Sequence, residues 1–172
     1  FQSLNLNQKV FYHRVGTAQS DDELVYERPD EPEWGFGADV SEDGKFLVLT
    51  IWKGTDDRYR VVVKDLKTPD AKPIMLIDNF DYMYAFMGND DDTLMFQTDL
   101  DAPLGRVIAI DLKKPEMQHW KEVVAETRNA LTAASIVGEK IVGRYLKDAR
   151  TQVLWYDMAG KFIREVDFPG IG

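Results

Sequence analysis

The stretch SEDGKFLVLTIWKGTDDRYRVVVKDL, residues 41–66, decides the fold of this protein. A polar turn leads into an apolar run, a second turn rich in Gly and Asp follows, and another apolar run ends in Asp-Leu. Short runs of β-branched and aromatic residues bounded by Gly, Asp, Asn or Pro are typical of β-strands joined by turns. The stretch is therefore either one isolated hairpin or one unit of a repeat.

Similar strand-like runs continue along the whole chain of 172 residues. Outside the opening stretch they lie at 9–15, 23–29, 73–78, 82–87, 93–98, 106–112, 120–125, 131–137, 140–146, 152–158 and 162–168. Residues 113–130 have room for a helical turn, but their proline and the Val-Val pair after Trp120 favour a loop that enters a strand. The sequence therefore predicts an all-β protein.

Three aspartates reveal a repeat. Asp65, Asp111 and Asp157 end the similar segments RVVVKDL, RVIAIDL and QVLWYDM, and 46 residues separate each from the next. A period in the forties with four strands per unit is the size of a β-propeller blade. We therefore predict a partial β-propeller of about three and a half four-stranded antiparallel blades. In a single domain, the half blade lies at about 9–30 and the full blades lie at about 37–78, 82–125 and 130–168.

An array of this size falls short of a closed propeller, which usually has about four to eight blades. The sequence also begins without Met, and its first ten residues lack the charged start and apolar core of a signal peptide. We therefore expect a segment of a longer polypeptide. Uncovered blade faces and strand edges favour self-association. We also predict a homodimer of the segment, which a monomeric mass in light scattering would contradict.

Composition narrows the classes of function. The net charge is −9, and Lys and Arg are scattered rather than gathered into the basic stripe of a nucleic-acid-binding protein. The apolar runs are far shorter than a membrane helix, and the chain has no cysteine for a disulfide, a thiolate zinc site or a nucleophile. We expect a soluble cytoplasmic or periplasmic protein, with the cytoplasm preferred, and neither a nucleic-acid partner nor a membrane partner.

The residue types of a serine-type catalytic triad are sparse. No serine lies in a Gly-x-Ser-x-Gly elbow, the strained turn that exposes the nucleophile of an α/β-hydrolase. We expect the serines and histidines to be structural, and we predict no catalytic residue, no metal site and no cofactor. The serines are Ser3, Ser20, Ser41 and Ser135, and the histidines are His13 and His119.

Several motifs carry a family resemblance. YHRVGT (12–17), DELVYERPDEPEWGFGADVSEDGKFLVL (22–49) and the following Gly-Thr-Asp turn with its Asp-Leu resemble the propeller of the prolyl oligopeptidase family of serine peptidases. LIDNFDYMY (76–84) and TDLDAPLGRVIAIDL (98–112) continue the resemblance, which weakens beyond them. The HRxGT element is shared with related oligopeptidases that cut after basic residues, whereas PDEPEWGFGADVS favours the prolyl branch.

This resemblance implies what the chain does. In that family a seven-bladed propeller is inserted into an α/β-hydrolase domain with a Ser-Asp-His triad, and the propeller restricts access to short peptides, which are cut after proline without a metal or cofactor. The implied partners are the chain's own missing catalytic hydrolase domain and short proline-containing peptides. The chain is then a non-catalytic propeller fragment of a prolyl oligopeptidase-like serine endopeptidase, inactive alone. The alternative is a stand-alone propeller-type module that binds proteins or peptides.

The resemblance also implies two residues near the substrate. Thr55 and Trp52 match family positions that face the catalytic domain near the bound peptide. The family can carry Cys and Arg at these positions, so that Thr and Trp here remove a thiol or a charged contact. The alternative is that residues 53–57 form only a tight turn, for which Gly and Asp are suited.

Two further groups of residues admit a functional interpretation. Clustered carboxylates can bind calcium, but the acidic group has no EF-hand pattern and favours an inter-strand turn. The group around Trp34 could receive a cationic peptide terminus, but packing of Trp34 and Phe36 between blades is the favoured interpretation. The acidic group is Asp90, Asp91, Asp92, Asp99 and Asp101, and the second group is Glu31, Glu33 and Trp34.

Aromatic residues recur at alternate positions of the predicted strands. Such a period of two places them on one face of a sheet. We therefore predict that they form the core between blades. They are Tyr82, Tyr84, Phe86, Phe96, Trp120, Tyr145 and Trp155.

Overall fold

A computed structural model describes residues 6–167 of the chain. Within that range the structure consists of fourteen β-strands and two 3-10 turns of three residues each, without an α-helix. No helix among these residues is long and apolar enough to cross a membrane. The strands divide into two compact units, and the division falls between Asp81 and Tyr82.

The first unit holds two antiparallel sheets. The two-stranded sheet pairs β1 with β2, and the four-stranded sheet follows the chain order β3-β4-β5-β6. These strands are β1 (Lys9–Tyr12), β2 (Glu23–Glu27), β3 (Trp34–Val40), β4 (Phe46–Lys53), β5 (Arg60–Asp65) and β6 (Ile74–Ile77).

The second unit holds two four-stranded antiparallel sheets, each again in chain order. Their strands are β7 (Tyr84–Asp90), β8 (Thr93–Thr98), β9 (Arg106–Asp111), β10 (Lys121–Val124), β11 (Ala130–Ile136), β12 (Lys140–Lys147), β13 (Arg150–Asp157) and β14 (Phe162–Glu165). A four-stranded antiparallel meander is the unit of a propeller blade. The predicted class, all-β with three such blades and a two-stranded half blade, is confirmed.

The repeat of 46 residues has a local physical cause. Asp65, Asp111 and Asp157 are each the last residue of the third strand of their sheet. In each case the carboxylate accepts a hydrogen bond from the backbone N–H two residues further along, at 2.7, 2.9 and 3.0 Å respectively. An aspartate that bonds its own backbone in this way closes a turn. The same turn therefore follows the third strand of every four-stranded sheet.

Removing the carboxylate of Asp65 is expected to lower stability in a pH-dependent way. Its hydrogen bonds with the hydroxyl of Thr68 and with the backbone hold the pKa of Asp65 below its ordinary value. Such a group stabilises the fold above its unfolded pKa of about 3.9, and this contribution is lost as the pH falls through the lower folded pKa. Asp65→Ala should therefore be less stable than the wild type at pH 7, with a difference that shrinks in strong acid.

Urea unfolding of both proteins between pH 7 and pH 2 measures this difference. The matched control is Glu42→Ala, which removes an exposed carboxylate from another turn of the same unit. A deficit of Asp65→Ala that is as large in strong acid as at neutral pH would contradict the prediction.

The first unit has its core between the half blade and the β3–β6 sheet. Leu47, Leu49 and Ile51 alternate along β4 and therefore share one face. They are buried together with Trp34 and Val62, and side chains of β1 and β2 pack against them. The half blade is thus held to the larger sheet by side-chain packing.

The second unit has its core between the β7–β10 and β11–β14 sheets. Met95 and Val107 of the first sheet are buried with Ile141 and Tyr145 of the second. The backbone of Leu131 in β11 is bonded to the loop that precedes β9. Its N–H donates a hydrogen bond to the carbonyl of Leu104 at 2.7 Å. Its own carbonyl accepts a hydrogen bond of 2.9 Å from the side-chain amide of Gln97, which is 7% exposed. A buried amide therefore joins one sheet to the first strand of the next.

Several predicted strand bounds were wrong, and two of them have a clear physical cause. The run at 9–15 ends at Tyr12, because the N–H of Thr17 donates to the carbonyl of Arg14 and Gly16 adopts a φ of 94° in a turn. The run at 82–87 begins only at Tyr84, because the N–H of Met83 donates to the carboxylate of Asp99 instead of to a strand.

Candidate functional site

The two residues implied by the resemblance lie at one end of the β3–β6 sheet. Trp52 is the penultimate residue of β4, and Thr55 is exposed in the turn that leads to β5. Gly54 has a φ of 62°, and the N–H of Asp56 donates to the carbonyl of Lys53 at 3.3 Å. The segment is thus a tight turn, and it presents the hydroxyl of Thr55 at its surface.

The indole of Trp52 lies across the neighbouring strand. Trp52 is paired with Gly35 of β3, where a Cβ atom would come within 2.4 Å of the indole Nε1. At Gly37 a Cβ atom would lie 3.4 Å from the same ring. Glycines in a strand commonly mark such a close approach. The ring is therefore fixed against the sheet while it remains partly exposed.

A buried tryptophan supports this end of the sheet. Trp34 begins β3 and is only 3% exposed. The guanidinium carbons of Arg28 and Arg60 lie 4.5 and 4.8 Å from its ring centre. Phe80 contacts the ring edge-on, with the two ring centres 5.4 Å apart. Cations within about 6 Å of an indole face are attracted to it, so the four side chains form one cluster.

Two carboxylates orient the arginines of this cluster. Arg28 donates from Nε and from one terminal nitrogen to the two oxygens of Asp30, both at 2.8 Å. This fork of hydrogen bonds raises the pKa of Arg28 and lowers the pKa of Asp30. Arg60 donates to Asp78 at 2.6 Å. Each guanidinium is therefore held by an acid while it covers the aromatic ring.

Paired charges surround the turn of Thr55. Lys53 lies 3.7 Å from Glu33, and Arg58 lies 3.9 Å from Asp56. The exposed surface formed by Trp52, Lys53, Thr55 and Arg58, here called the Trp52 surface, thus offers an indole, a hydroxyl and ion-paired side chains. Ligand sites in proteins commonly combine aromatic side chains with a few polar or charged groups.

The group around Trp34 has a structural role in part. Trp34 is buried, and Phe36 contacts Tyr26 of β2 edge-on, with ring centres 5.4 Å apart. This confirms that Trp34 and Phe36 pack between the half blade and the β3–β6 sheet. Glu33 lies at the Trp52 surface through its ion pair with Lys53, and the carbonyl of Glu31 accepts a hydrogen bond from the backbone N–H of Trp34.

The acidic group is engaged in turns and loops. Asp90 ends β7, Asp91 has a φ of 48°, and Asp92 forms a 2.7 Å ion pair with Lys113. Asp99 accepts the N–H of Met83, and Asp101 has a φ of 47°. Within residues 6–167, no three His, Cys, Asp or Glu side chains are grouped so as to hold a metal ion.

The side chain of Ser41 stabilises a turn. Its hydroxyl donates to Asp43 at 2.7 Å and accepts the N–H groups of Lys45 and Phe46 at 3.1 and 2.8 Å. Ser41 is 3% exposed, so these bonds satisfy a buried hydroxyl at the start of β4. This geometry is that of a structural serine.

The other serines and the histidines are at exposed positions. His13 lies 2.7 Å from Asp22, and His119 lies 3.0 Å from Glu116. Ser20 and Ser135 are exposed, in a 3-10 turn and in β11 respectively. Ser3 lies outside the described residues.

Sequence reasoning missed the arginines that cover Trp34. Arg60 and Arg106 are the first residues of β5 and β9, and 46 residues separate them. Both reach an acid near the fourth strand of their sheet, Arg60 bonding Asp78 and Arg106 bonding Glu122 at 3.2 Å. A signal for Arg60, though not for Arg28, was present in the sequence, because an arginine opens both RVVVKDL and RVIAIDL.

Residues 2–172 match the family model of the prolyl oligopeptidase N-terminal β-propeller domain. A prolyl endopeptidase of Elizabethkingia miricola is 35% identical over 165 residues, which are 95% of this chain and 23% of that relative. This chain therefore spans about a quarter of such a relative's length.

Solved structures also match this chain over nearly its whole length. A structure from a study of two prolyl endopeptidases superposes with a TM-score of 0.91 and 35% identity, covering 100% of this chain and 25% of that one. The apo structure of prolyl oligopeptidase B from Galerina marginata has a TM-score of 0.90 and 29% identity, covering 97% of this chain and 24% of that one.

Proposed function

This chain belongs to the prolyl oligopeptidase family through its N-terminal β-propeller domain, and we propose that it is the non-catalytic propeller part of a serine endopeptidase that cleaves short peptides after proline. The observation that carries the proposal is the extent of the match, which covers residues 2–172. The match to a prolyl endopeptidase covers 95% of this chain but only 23% of that relative. Its partner is then the catalytic α/β-hydrolase domain of the same polypeptide.

The proposed role of the propeller is to gate access of peptides to that domain. The Trp52 surface is our candidate for the part that faces the catalytic domain and the bound peptide. Thr55 is exposed on a tight turn, and the indole of Trp52 is held against Gly35. A fixed ring loses little freedom when it contacts a ligand, which favours binding.

Peptidase assays on two proteins test this function. The longer polypeptide that contains the chain is expected to release a fluorophore from a short peptide after proline, and an inhibitor of serine peptidases should abolish the signal. The purified chain of 172 residues is expected to show no cleavage. Stoichiometric, inhibitor-sensitive cleavage by the chain alone would contradict the proposal. Cleavage by the longer polypeptide only after Lys or Arg would place it in the basic-residue-specific branch instead.

Enlarging Thr55 tests the proposed place of the substrate. In the longer polypeptide, Thr55→Lys is expected to raise KM about five-fold with little change in kcat, which corresponds to about 1 kcal/mol of binding. The control is Thr17→Lys, which alters another exposed threonine that directly follows a turn glycine, Gly16. Equal KM values for the two variants would remove Thr55 from the substrate path.

A further inference from the structure

Two cationic side chains lie opposite each other where β12 turns into β13. Lys147, the last residue of β12, is paired with Arg150, the first residue of β13. Asp148 and Ala149 between them have φ values of 48° and 61°, which is the backbone of a tight two-residue hairpin turn. Residues paired directly across a ladder have their Cβ atoms about 4.5–5.5 Å apart. The hairpin therefore holds an ammonium-bearing and a guanidinium-bearing side chain close together.

Neither cation has an anionic partner within residues 6–167. The side chains of Lys147 and Arg150 make no hydrogen bond or ion pair with that part of the chain. Like charges directly opposite each other destabilise a sheet. The chain as a whole has a net charge of −9, so that acids are abundant elsewhere. The hairpin thus keeps an unfavourable pair of charges, which a bound anion would relieve.

The corresponding lysine of the β3–β6 sheet does have an acid beside it. Lys53 and Lys147 are each the last residue of the second strand of their sheet. Lys53 lies 3.7 Å from Glu33, which directly precedes β3. The two residues that directly precede β11 are instead Arg128 and Asn129. A cation and an amide therefore stand in the sequence where the other sheet has its neutralising carboxylate.

A fixed amide lies next to the two cations. Gln152 is two residues beyond Arg150 in β13, and period-two alternation places both on the same face of the sheet. The side-chain oxygen of Gln152 accepts a hydrogen bond of 3.0 Å from Nδ2 of Asn129. Asn129 is held in turn by its backbone N–H, which donates to the hydroxyl of Thr127 at 3.2 Å. Because the acceptor of the Gln152 amide is occupied, its NH₂ group is left to donate to a ligand.

We propose that Lys147, Arg150 and Gln152 form a binding site for a carboxylate of a peptide, which is either the C-terminal carboxylate or an Asp or Glu side chain. This proposal rests on the proposed function, in which short peptides are the ligands. A guanidinium is a planar fork of N–H donors that matches the two oxygens of a carboxylate, and an ammonium adds a second charged donor. We call these three residues the carboxylate site.

A single carboxylate suits this site better than a phosphate does. Asp148 is exposed in the turn between the two cations. A carboxylate brings one negative charge, whereas a phosphate monoester brings about 1.5 to 2. The repulsion from Asp148 is therefore smaller for a carboxylate.

Peptide binding to the chain of 172 residues tests the site directly. The probe is the acetylated peptide Ala-Gly-Pro-Ala with a free C-terminal carboxylate, and it is compared with the same peptide amidated. Amide NMR shifts of Asp148 and Ala149 during titration give the dissociation constants. The free acid is expected to bind about ten-fold more tightly than the amide. The difference should shrink as salt is added, because ions screen exposed charges.

A third peptide identifies the source of the carboxylate. It is amidated and carries Glu in place of the last Ala. Binding as tight as that of the free acid would support the site with an acidic side chain as its ligand. Binding as weak as that of the plain amide, with the free acid still preferred, would support the site with the C-terminal carboxylate as its ligand.

A double substitution assigns the preference to the hairpin. Lys147→Gln combined with Arg150→Gln removes both charges and is expected to abolish the preference for the free acid. This variant should unfold at no lower urea concentration than the wild type, because a repelling pair is lost. The matched control is Lys140→Gln combined with Lys161→Gln, which changes the net charge equally at the opposite end of the same sheet. The control should keep the preference.

Kinetics of the longer polypeptide connect the site to the substrate. The Lys147→Gln, Arg150→Gln variant is expected to raise KM for the free-acid peptide about ten-fold, while KM for the amidated peptide and both kcat values stay unchanged. If the wild type had equal KM values for the two peptides although the chain prefers the free acid, the carboxylate site would not act on the substrate, and the proposal would be overturned.

The remaining outcomes separate the carboxylate site from the proposed function. Equal affinity of the chain for the free acid and the amide, together with cleavage after proline by the longer polypeptide, would overturn the carboxylate site alone. A preference for the free acid that the double variant abolishes, without any cleavage by the longer polypeptide, would support the site and count against the proposed peptidase. Binding of inorganic phosphate more tightly than the free-acid peptide would make the hairpin a general anion site and overturn the proposal.

Discussion

Replacing Gly160 with alanine is expected to remove about 4 kcal/mol or more from the free energy of unfolding, an effect of the size seen for severe backbone and packing errors. Gly160 lies in the turn between β13 and β14 with a φ of 83°. A Cβ atom added there would lie 1.6 Å from the carbonyl oxygen of Val123 in β10. The atom in the way belongs to the backbone of another strand, so a rotamer change cannot relieve the contact.

The expected loss has two separable causes. A left-handed conformation costs an alanine about 1–2 kcal/mol, and displacing β10 from the β13–β14 turn adds the remainder. Because folded domains are stable by only about 5–15 kcal/mol, the second unit should unfold at low urea concentration. Urea titration followed by far-UV circular dichroism measures the change.

Gly138 provides the matched control for Gly160. It also lies in a hairpin turn of the β11–β14 sheet, with a φ of 58°, but a Cβ atom there would meet nothing within 4 Å. Gly138→Ala should therefore carry only the backbone cost of about 1–2 kcal/mol. If both variants lost the same free energy, the contact of Gly160 with Val123 would not contribute.

The repeat was predictable from sequence because each unit uses the same local chemistry. An aspartate that closes the turn after a third strand is fixed by its own backbone neighbours, so Asp65, Asp111 and Asp157 keep their spacing whatever the strands pack against. Four-stranded blades followed from this spacing and from the apolar runs. The predicted strand bounds were less accurate where a side chain accepts a hydrogen bond from the backbone in place of a neighbouring strand. Asp99 does this with the N–H of Met83.

Contacts between sheets were not predictable in the same way. The turn at Gly160 was evident, but nothing in its sequence names Val123 as its neighbour. The partners of Trp34 come from three separate parts of the chain, at Arg28, Arg60 and Phe80. Such contacts depend on how sheets meet, which strand periodicity does not specify.

The candidate site was predicted on different grounds from the fold. Trp52 and Thr55 were proposed from the family resemblance, since an indole next to a Gly-Thr-Asp turn has no distinctive chemistry of its own. The structure adds the reason for WGFG in β3, because Gly35 and Gly37 make room for the indole of Trp52. The sequence could have predicted this pairing if the register of β3 and β4 had been derived from the turn that joins them.

Truncating Trp34 is expected to be the most damaging side-chain change in the first unit. Trp34→Ala should lower the free energy of unfolding by about 3–5 kcal/mol, the usual cost of removing a buried tryptophan. The ring is 3% exposed and is contacted by Arg28, Arg60 and Phe80, so its loss leaves a cavity lined by two guanidiniums. Urea unfolding followed by far-UV circular dichroism tests this expectation, and a loss below about 1 kcal/mol would contradict it.

Two conservative variants separate the size of the ring from its attraction for cations. Trp34→Phe keeps an aromatic face for both guanidiniums, whereas Trp34→Leu keeps a similar apolar volume without one. The phenylalanine variant should be more stable by about 1–2 kcal/mol, because each cation over a ring contributes about 0.5–1 kcal/mol or more when it is desolvated. Equal stability of the two would mean that Arg28 and Arg60 are placed by Asp30 and Asp78 alone, and that Trp34 serves the first unit only by filling space.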